Sequence, residues 1–240
     1  MSYLERYKKG EHIKVYDEIA ALGVSAFEEE HFQDVFGVMV ETFNRVAFNL
    51  NAIFMELIEV GYNFNSAPEY DYQRAVLSPL PDIPTLLPEL MEKAIPLGHV
   101  PLSLQLFYQI AGSCNFSWNY NTQAENPWKG ADPIQIYPLN YLLESINGLE
   151  NGNGNLKGLK LGADYLTKDN LGETVGSYQL LLTPEPAIDS ELAGVSNNTT
   201  FVNYLRSSFK NGGFSRAEDI QNVESFQYYF NRVKRKLWPI

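Results

Sequence analysis

The stretch GHVPLSLQLFYQIAGSCNFSW, at residues 98–118, says more about the fold than any other part of the chain. Pro101 suits the first turn of a helix, where a backbone N–H has no intrahelical partner to lose. Apolar residues at four-residue spacing predict the buried face of this helix, namely Leu102, Leu106 and Ile110. Gly112 predicts the end of the helix, and residues 114–116 predict an extended segment. The stretch therefore predicts a helix followed closely by a β-strand.

Upstream, the strongest helical pattern runs from Phe32 to Gly61. Apolar residues recur there every three or four positions, which predicts one long helix with a wide apolar stripe that packs into the core. The stripe comprises Val35, Phe36, Met39, Val40, Phe43, Val46, Ala47, Leu50, Ile53, Phe54, Leu57 and Ile58. Four polar residues of the same helix fall outside the stripe, namely Glu41, Arg45, Asn49 and Glu56. Gly61 suits the C-terminal cap.

The rest of the chain predicts short helices and short strands without regular β-α-β alternation. A linker rich in Pro, Ser, Asn and Asp at 62–84 separates a helical N-terminal part, residues 1–75, from a larger part, residues 84–240. The larger part has predicted helices at 84–94, 138–146, 200–210 and 216–236, and predicted strands at 134–137, 159–166 and 178–183. This order is typical of an α+β fold. We predict a single domain, residues 1–240, in which a small, mostly antiparallel sheet packs with helices and carries an N-terminal helical extension.

The composition predicts a globular protein with an acidic surface. The 240 residues are 45% hydrophobic and carry a formal net charge of −11. This charge argues against a nucleic-acid partner, because phosphate binding needs a positive surface. It favours a basic protein partner, because complementary charges speed encounter. The one basic run is expected to complement the end of a helix or to pair with the protein's own acidic groups, and it contains Arg232, Lys234, Arg235 and Lys236.

Cysteine content and hydropathy predict the compartment. Cys114 is the only cysteine, so no intramolecular disulfide can form. The N-terminal segment is charged throughout and lacks the apolar region of a signal peptide. No run approaches the roughly 18 apolar residues that a membrane-spanning helix needs. We therefore expect no membrane association and a cytoplasmic location.

The residue types that usually carry chemistry form no recognisable motif. The three histidines, His12, His31 and His99, are far apart and lack the spacing of zinc ligands. The glycines between Gly148 and Gly158 lack the Lys-Ser or Lys-Thr of a phosphate-binding loop, and they predict a turn. Cys114 is either a nucleophile, which would need a base such as His99, or a small buried apolar residue. We expect no catalytic residue, no metal site and no cofactor.

The polar loop at 119–132 carries the candidate binding residues. Trp118 and Trp128 bracket this loop, with Asn115 and Asn119 beside the first ring. Amphipathic rings next to side-chain amides are typical of binding surfaces. The alternative interpretation is that both rings anchor the loop to the core.

The phrase VPLSLQLFYQIAGSCNF, at 100–116, resembles the helix-and-turn signature of SUKH-superfamily domains. In that family an amphipathic helix ends in a glycine-containing turn, often Asn-Gly-Gly, before an extended segment. The turn here reads Gly-Ser-Cys-Asn, which departs from that wording. The chain is also similar to bacterial proteins of about this length that share DPIQIYPL, at 132–139, and TFVNYLRSSF, at 200–209. The SUKH resemblance implies an α+β fold and non-enzymatic binding, as in immunity proteins that neutralise contact-dependent bacterial toxins.

These observations lead to three hypotheses of different classes. The first is a non-catalytic protein-binding module, with an immunity protein against a basic toxin as the specific form that the resemblance implies. The alternative is an enzyme with a cleft near Trp118 and Trp128, in which Cys114 or His99 is the reactive group. The third is a structural module whose long helix at 32–61 mediates oligomerisation.

Overall fold

The computed structural model describes residues 1–66, 74–150, 158–170, 176–195 and 199–240. The glycine-rich turn expected between Gly148 and Gly158 lies mostly outside these residues. The helices are α1 Tyr3–Lys8, α2 His12–Ala21, α3 Glu29–Glu59, α4 Ile83–Ala94, α5 Leu102–Leu106, α6 Leu139–Glu150, α7 Tyr165–Lys168, α8 Phe201–Lys210 and α9 Glu224–Val233. A π-helical turn, Phe107–Ala111, follows α5 directly, and two 3₁₀ turns cover Gly23–Phe27 and Ala217–Ile220.

The described strands form two small antiparallel sheets. They are β1 Val76–Leu77, β2 Ser113–Asn115, β3 Gln135–Ile136, β4 Gly158–Ala163, β5 Ser177–Leu181, β6 Glu191–Ala193 and β7 Thr199–Thr200. The first sheet has the order β1-β2-β3 and the second has the order β4-β5-β6-β7. Each sheet packs with helices, so the predicted α+β class is confirmed. The sequence predicted one sheet, because β1, β6 and β7 are too short to show strand alternation.

The segment at 98–118 folds as a helix, a tight turn and a strand. Pro101 is the N-cap of α5, and the π-helical turn continues the helix to Ala111. Gly112 then adopts φ +89°, and a Cβ atom at this position would lie 2.2 Å from the carbonyl oxygen of Leu77. Only glycine fits both this backbone angle and the close approach of β1. The turn therefore fixes how β2 enters the first sheet.

Helix α3 is the long helix that the apolar stripe predicts, and Gly61 follows it with φ +72°. The residues of α3 that are buried differ in part from the predicted apolar stripe. Asn49 and Glu56 fall outside the stripe and yet are 0% and 2% exposed, whereas Ile58 belongs to the stripe and is 46% exposed. The cause is tertiary: α9 packs against α3, and the residues that follow α9 also contact it.

The C-terminal region is more broken than the sequence pattern predicts. The expected helix at 216–236 is instead the second 3₁₀ turn followed by α9. Residues 237–240, which we call the C-terminal segment, run back over α3 and α8. Buried apolar side chains from Tyr7 to Ile240 belong to one core cluster. Within the described residues, no helix has both the length and the hydropathy to cross a membrane.

Candidate functional site

The two tryptophans of the predicted binding site are core residues. Trp118 and Trp128 are 6% and 4% exposed, and both rings contact Tyr62, with centroids 5.0 Å and 5.2 Å away. Their indole N–H groups donate to the Gln123 carbonyl oxygen and to Ser225 Oγ, each at 2.9 Å. This geometry agrees with the anchoring interpretation of the two rings. Their part in binding stays a prediction.

The two asparagines of the predicted site have different surroundings. Asn115 lies fully buried in β2, and its Oδ1 accepts a hydrogen bond from the Ser117 backbone N–H at 3.1 Å. Asn119 is half-buried, and its backbone pairs with Asn63 through two hydrogen bonds of 3.0 Å. The structure therefore brings Trp118 and Trp128 together on one aromatic ring, whereas the asparagines tie the loop to β2 and to the residues after α3.

The proposed reactive cysteine lies in a poor setting for nucleophilic chemistry. Cys114 is 0% exposed, and burial raises the pKa of its thiol to about 12. A thiol with this pKa is almost fully protonated at neutral pH, whereas the thiolate is the nucleophile. His99 pairs through its backbone, with its N–H donating to the Thr183 carbonyl oxygen at 2.7 Å. Among the described residues, no group of His, Cys, Asp and Glu is arranged to hold a metal ion.

A groove lined by residues from both ends of the chain brings together exposed apolar and basic side chains. The sequence did not show that these residues lie close to one another. This C-terminal groove has a volume of about 640 Å³ and lies between the start of α2, the end of α8 and the C-terminal segment. Its lining includes Ile13, Lys14, Lys210, Lys234, Trp238 and Ile240. Ile13 is 63% exposed and Trp238 is 50% exposed. Large apolar side chains that stay exposed at the mouth of a groove are typical of interaction sites.

The C-terminal segment forms one wall of the groove and is held through its backbone. The Asn49 side chain accepts from the Trp238 N–H and donates to the Trp238 carbonyl oxygen, both at 2.8 Å. Arg45 donates to the Pro239 carbonyl oxygen, and Arg206 donates to the main-chain oxygen of Ile240, both at 2.9 Å. These bonds place the Trp238 ring against Phe48 at a centroid distance of 4.6 Å.

The groove is basic in an otherwise acidic protein. Arg206, Lys14, Lys210 and Lys234 line it together with one acidic residue, Glu11, which forms an ion pair with Lys14 at 3.7 Å. The three lysines are exposed. His12 also lines the groove, and burial together with the adjacent Arg45 lowers the pKa of its imidazole. The groove therefore presents positive charge around an apolar floor.

Two other residues of the basic run have an internal partner, as expected. Arg232 donates to Glu56 at 2.6 Å, and Lys236 donates to the same carboxylate. Burial alone would raise the pKa of Glu56, but the bonds from Lys236 and Arg232 outweigh it and the pKa is lowered. Lys234 points elsewhere, since it lines the groove and lies 5.3 Å from the Phe230 ring centroid. The basic run therefore has two roles. Arg232 and Lys236 bind Glu56 of α3, and Lys234 adds positive charge to the groove.

Comparison with known proteins adds no identity. No family model, no curated protein and no solved structure matches this chain. The resemblance to SUKH domains therefore stays a prediction. The sequence held one signal of the groove, a basic run followed by Trp238, but nothing in it showed that residues 237–240 fold back beside α2 and α8.

Proposed function

We propose that this protein is a non-catalytic protein-binding module whose C-terminal groove docks an apolar, acidic segment of a partner protein. The observation that carries the proposal is the exposure of Ile13 and Trp238 at the mouth of a groove that three exposed lysines surround.

The apolar part of the groove supplies the affinity in this proposal. Burying a large apolar side chain is worth about 1.5–3 kcal/mol relative to leaving it in water. Ile13 and Trp238 are already partly covered, so each gains a fraction of this amount when a partner closes over it. An aromatic residue with an exposed face and a fixed backbone is also the kind of residue that dominates binding energy at interfaces.

The charges around the groove select the partner. The net charge of −11 gives the surface as a whole a negative field, whereas Lys14, Lys210 and Lys234 create a local positive region. A segment with Asp or Glu beside bulky apolar residues complements both the floor and the rim. Such complementarity affects the association rate and the choice of partner more than the affinity.

A displayed library of random linear peptides, selected on the full-length protein, tests this proposal. We expect the enriched peptides to combine bulky apolar residues with Asp or Glu, and to bind more weakly as salt increases. The double variant Lys14→Glu/Lys234→Glu should weaken their binding at least tenfold. The control is Lys129→Glu, which makes the same Lys→Glu exchange once, half of the double variant's change in charge, on the exposed loop after Trp128 and should leave binding unchanged. Failure to enrich any peptide, or equal binding to both variants, contradicts the proposal.

The acidic balance favours a second form of the same function, an immunity protein that binds a basic toxin. In this form the partner contacts the acidic surface away from the groove. We also propose that the protein acts in the cytoplasm. Its single cysteine, Cys114, supports this location, because disulfide bonds are rare under reducing conditions. Affinity capture from host-cell extract separates the two forms. A basic partner that the Lys14→Glu/Lys234→Glu variant retains supports the toxin form, and an acidic partner that this variant loses supports the groove form.

A further inference from the structure

His12, the first residue of α2, lines the C-terminal groove and contacts Arg45 of α3. The distance between His12 Nε2 and Arg45 Nη1 is 2.6 Å. A guanidinium group carries only hydrogen-bond donors, so Nε2 must accept this bond and has no proton of its own. The contact therefore requires the neutral form of the imidazole, with its proton on Nδ1.

The arginine that bonds to His12 also holds the C-terminal segment. Arg45 Nη1 donates to the Pro239 carbonyl oxygen at 2.9 Å, and Arg45 Nε donates to Glu41 at 2.8 Å. The guanidinium carbon lies 6.0 Å from the centroid of the Trp238 ring, which is within the range of a cation–π contact. A movement of this one side chain therefore affects both Pro239 and Trp238.

The surroundings of His12 favour its neutral form. Burial, followed by the positive charges of Arg45 on α3 and Arg206 on α8, lowers the pKa of the imidazole against a smaller, opposite effect of Glu41. A positive charge at the first residue of a helix is also unfavourable, because the N-terminal end of the helix dipole is itself positive. Arg206 holds the same segment as Arg45, since it donates to the main-chain oxygen of Ile240. A protonated His12 would therefore face both of the cations that hold the segment.

The other titratable groups next to His12 supply no free counter-charge. Glu11, its neighbour in sequence, forms ion pairs with Arg6 at 3.0 Å and with Lys14 at 3.7 Å. Tyr7 of α1 meets the imidazole edge-on, with ring centroids 4.8 Å apart. Burial raises the pKa of Tyr7, so this residue stays uncharged at neutral pH.

We propose that His12 is a pH-sensitive switch that controls the C-terminal segment. Protonation of Nε2 breaks the hydrogen bond between His12 and Arg45, and Arg45 then moves away and releases the Pro239 carbonyl oxygen. Because a protonated imidazole has donors at both ring nitrogens, no rotation of the ring restores an acceptor for Arg45. The new charge also repels Arg206 and so weakens the contact at Ile240.

The change loosens the segment without detaching it. Trp238 keeps its two hydrogen bonds to Asn49, which is uncharged at every pH. Pro239 and Ile240 lose their contacts with the two arginines, and both residues line the groove. The shape of the groove wall therefore depends on the charge of His12.

The direction of the pH dependence follows from the lowered pKa of the imidazole. The unfolded chain takes up this proton near the ordinary value of 6.5, and the folded chain takes it up at lower pH. The segment is therefore held fully above pH 6.5, and its hold is lost as the pH falls from 6.5 through the folded value. Carboxyl groups ordinarily titrate at about pH 4, so Glu41 and the acidic residues of a docked peptide keep their charge in mild acid.

The fluorescence of Trp238 reports the change in the full-length protein. Its ring is half exposed, and it loses the nearby charge when Arg45 moves. Subtracting the spectrum of Trp238→Phe from that of the wild type isolates this ring from Trp118 and Trp128. We expect the difference spectrum to change in a single one-proton step centred below pH 6.5.

The three histidines of the chain provide matched variants. His12→Gln retains an oxygen that accepts from Arg45 and cannot titrate, so it should abolish the step. His31→Gln and His99→Gln remove the other two histidines and should retain it. A step that His12→Gln retains overturns the proposal, and so does the absence of a step between about pH 5 and pH 7.5.

The consequence for docking rests on the proposed function of the groove. Peptides selected at neutral pH should bind the wild type more weakly at about pH 5.5, whereas His12→Gln should bind them equally at both pH values. A fluorescence step without any peptide binding overturns the docking function and supports the switch. Peptide binding without the step overturns the switch alone.

Discussion

The Asn49 side chain forms hydrogen bonds with both backbone polar groups of Trp238, in the way that the backbone of a neighbouring β-strand would. The Asn49 amide accepts from the Trp238 N–H and donates to its carbonyl oxygen, each at 2.8 Å, although the two residues lie 189 positions apart. Asn49 is fully buried in α3. Its position therefore determines where the C-terminal segment lies and how Trp238 faces the groove.

Replacing Asn49 by Ala should lower the free energy of unfolding by about 2 kcal/mol. The change removes two hydrogen bonds from a buried site, and each is worth about 1 kcal/mol. Urea denaturation measures the effect. Asn51→Ala is the control, because Asn51 is exposed on the same helix and its side chain donates to the Ala47 carbonyl oxygen one turn earlier. Equal effects of the two substitutions would mean that the C-terminal segment contributes nothing to stability.

Glu56 should make stability depend on acid pH. Its pKa in the folded protein lies below the ordinary value of 4.5, because the bonds from Lys236 and Arg232 outweigh the opposing effect of burial. A lowered carboxyl pKa contributes stability that is fully present above the unfolded value and is lost as pH falls through the folded value. Both cations are partly exposed, at 54% and 40% of their side chains, so solvent screening limits the contribution to about 1 kcal/mol.

Unfolding measured by urea between pH 3 and pH 7, roughly the window set by these carboxyl pKa values, checks this prediction. Glu56→Gln should be less stable than the wild type at neutral pH, and the difference should shrink as the pH falls below about 4.5. Glu59→Gln, at an exposed position on the same helix, serves as the control. A difference that stays constant across the pH range would show that Glu56 acts through packing alone.

Breaking the ion pair between Asp132 and Lys168, whose side chains are each 1% exposed, should lower the free energy of unfolding much more than losing the bonds to Glu56. Asp132→Asn leaves a buried ammonium group without its counter-charge, which typically costs about 3–5 kcal/mol. Adding Lys168→Met should restore part of this loss, because the unpaired charge is then removed. Glu89→Gln, which removes the surface pair with Lys93, should cost less than about 0.5 kcal/mol. A double-mutant cycle measures the coupling, and additive losses at Asp132 and Lys168 would contradict it.

Elements with a strong local signal were predictable from the sequence. Helix α3 shows sustained apolar periodicity, and α8 begins at Phe201 after its N-cap Thr200, whose side chain accepts from the Asn203 N–H. Elements that depend on tertiary partners were not. Strand β1 has only two residues and pairs with β2 across the close contact at Gly112. The π-helical turn after α5 likewise has the composition of an ordinary helix.

The candidate site was harder to predict than the fold, because its parts come from three distant segments. The sequence drew attention to Trp118 and Trp128, which are conspicuous beside a polar loop, but their rings are 6% and 4% exposed. Trp238 is half exposed and follows the basic run. Burial of a tryptophan depends on what packs over it, and a single sequence does not show this. Ile13 and Lys210 meet Trp238 only because Asn49 and Arg206 hold the C-terminal segment between them.

Cys114 should be inert in the folded protein. Its side chain is fully buried and its thiol has a pKa of about 12, so the reactive thiolate is scarce at neutral pH. Titration with a chromogenic disulfide reagent should give no reaction on the native protein within minutes and one thiol per chain after unfolding in guanidinium. Because Cys114 is the only cysteine, the signal is unambiguous and Cys114→Ala provides the blank. Rapid native modification, faster than global unfolding, would return Cys114 to consideration as a nucleophile and favour the enzyme hypothesis over the binding module.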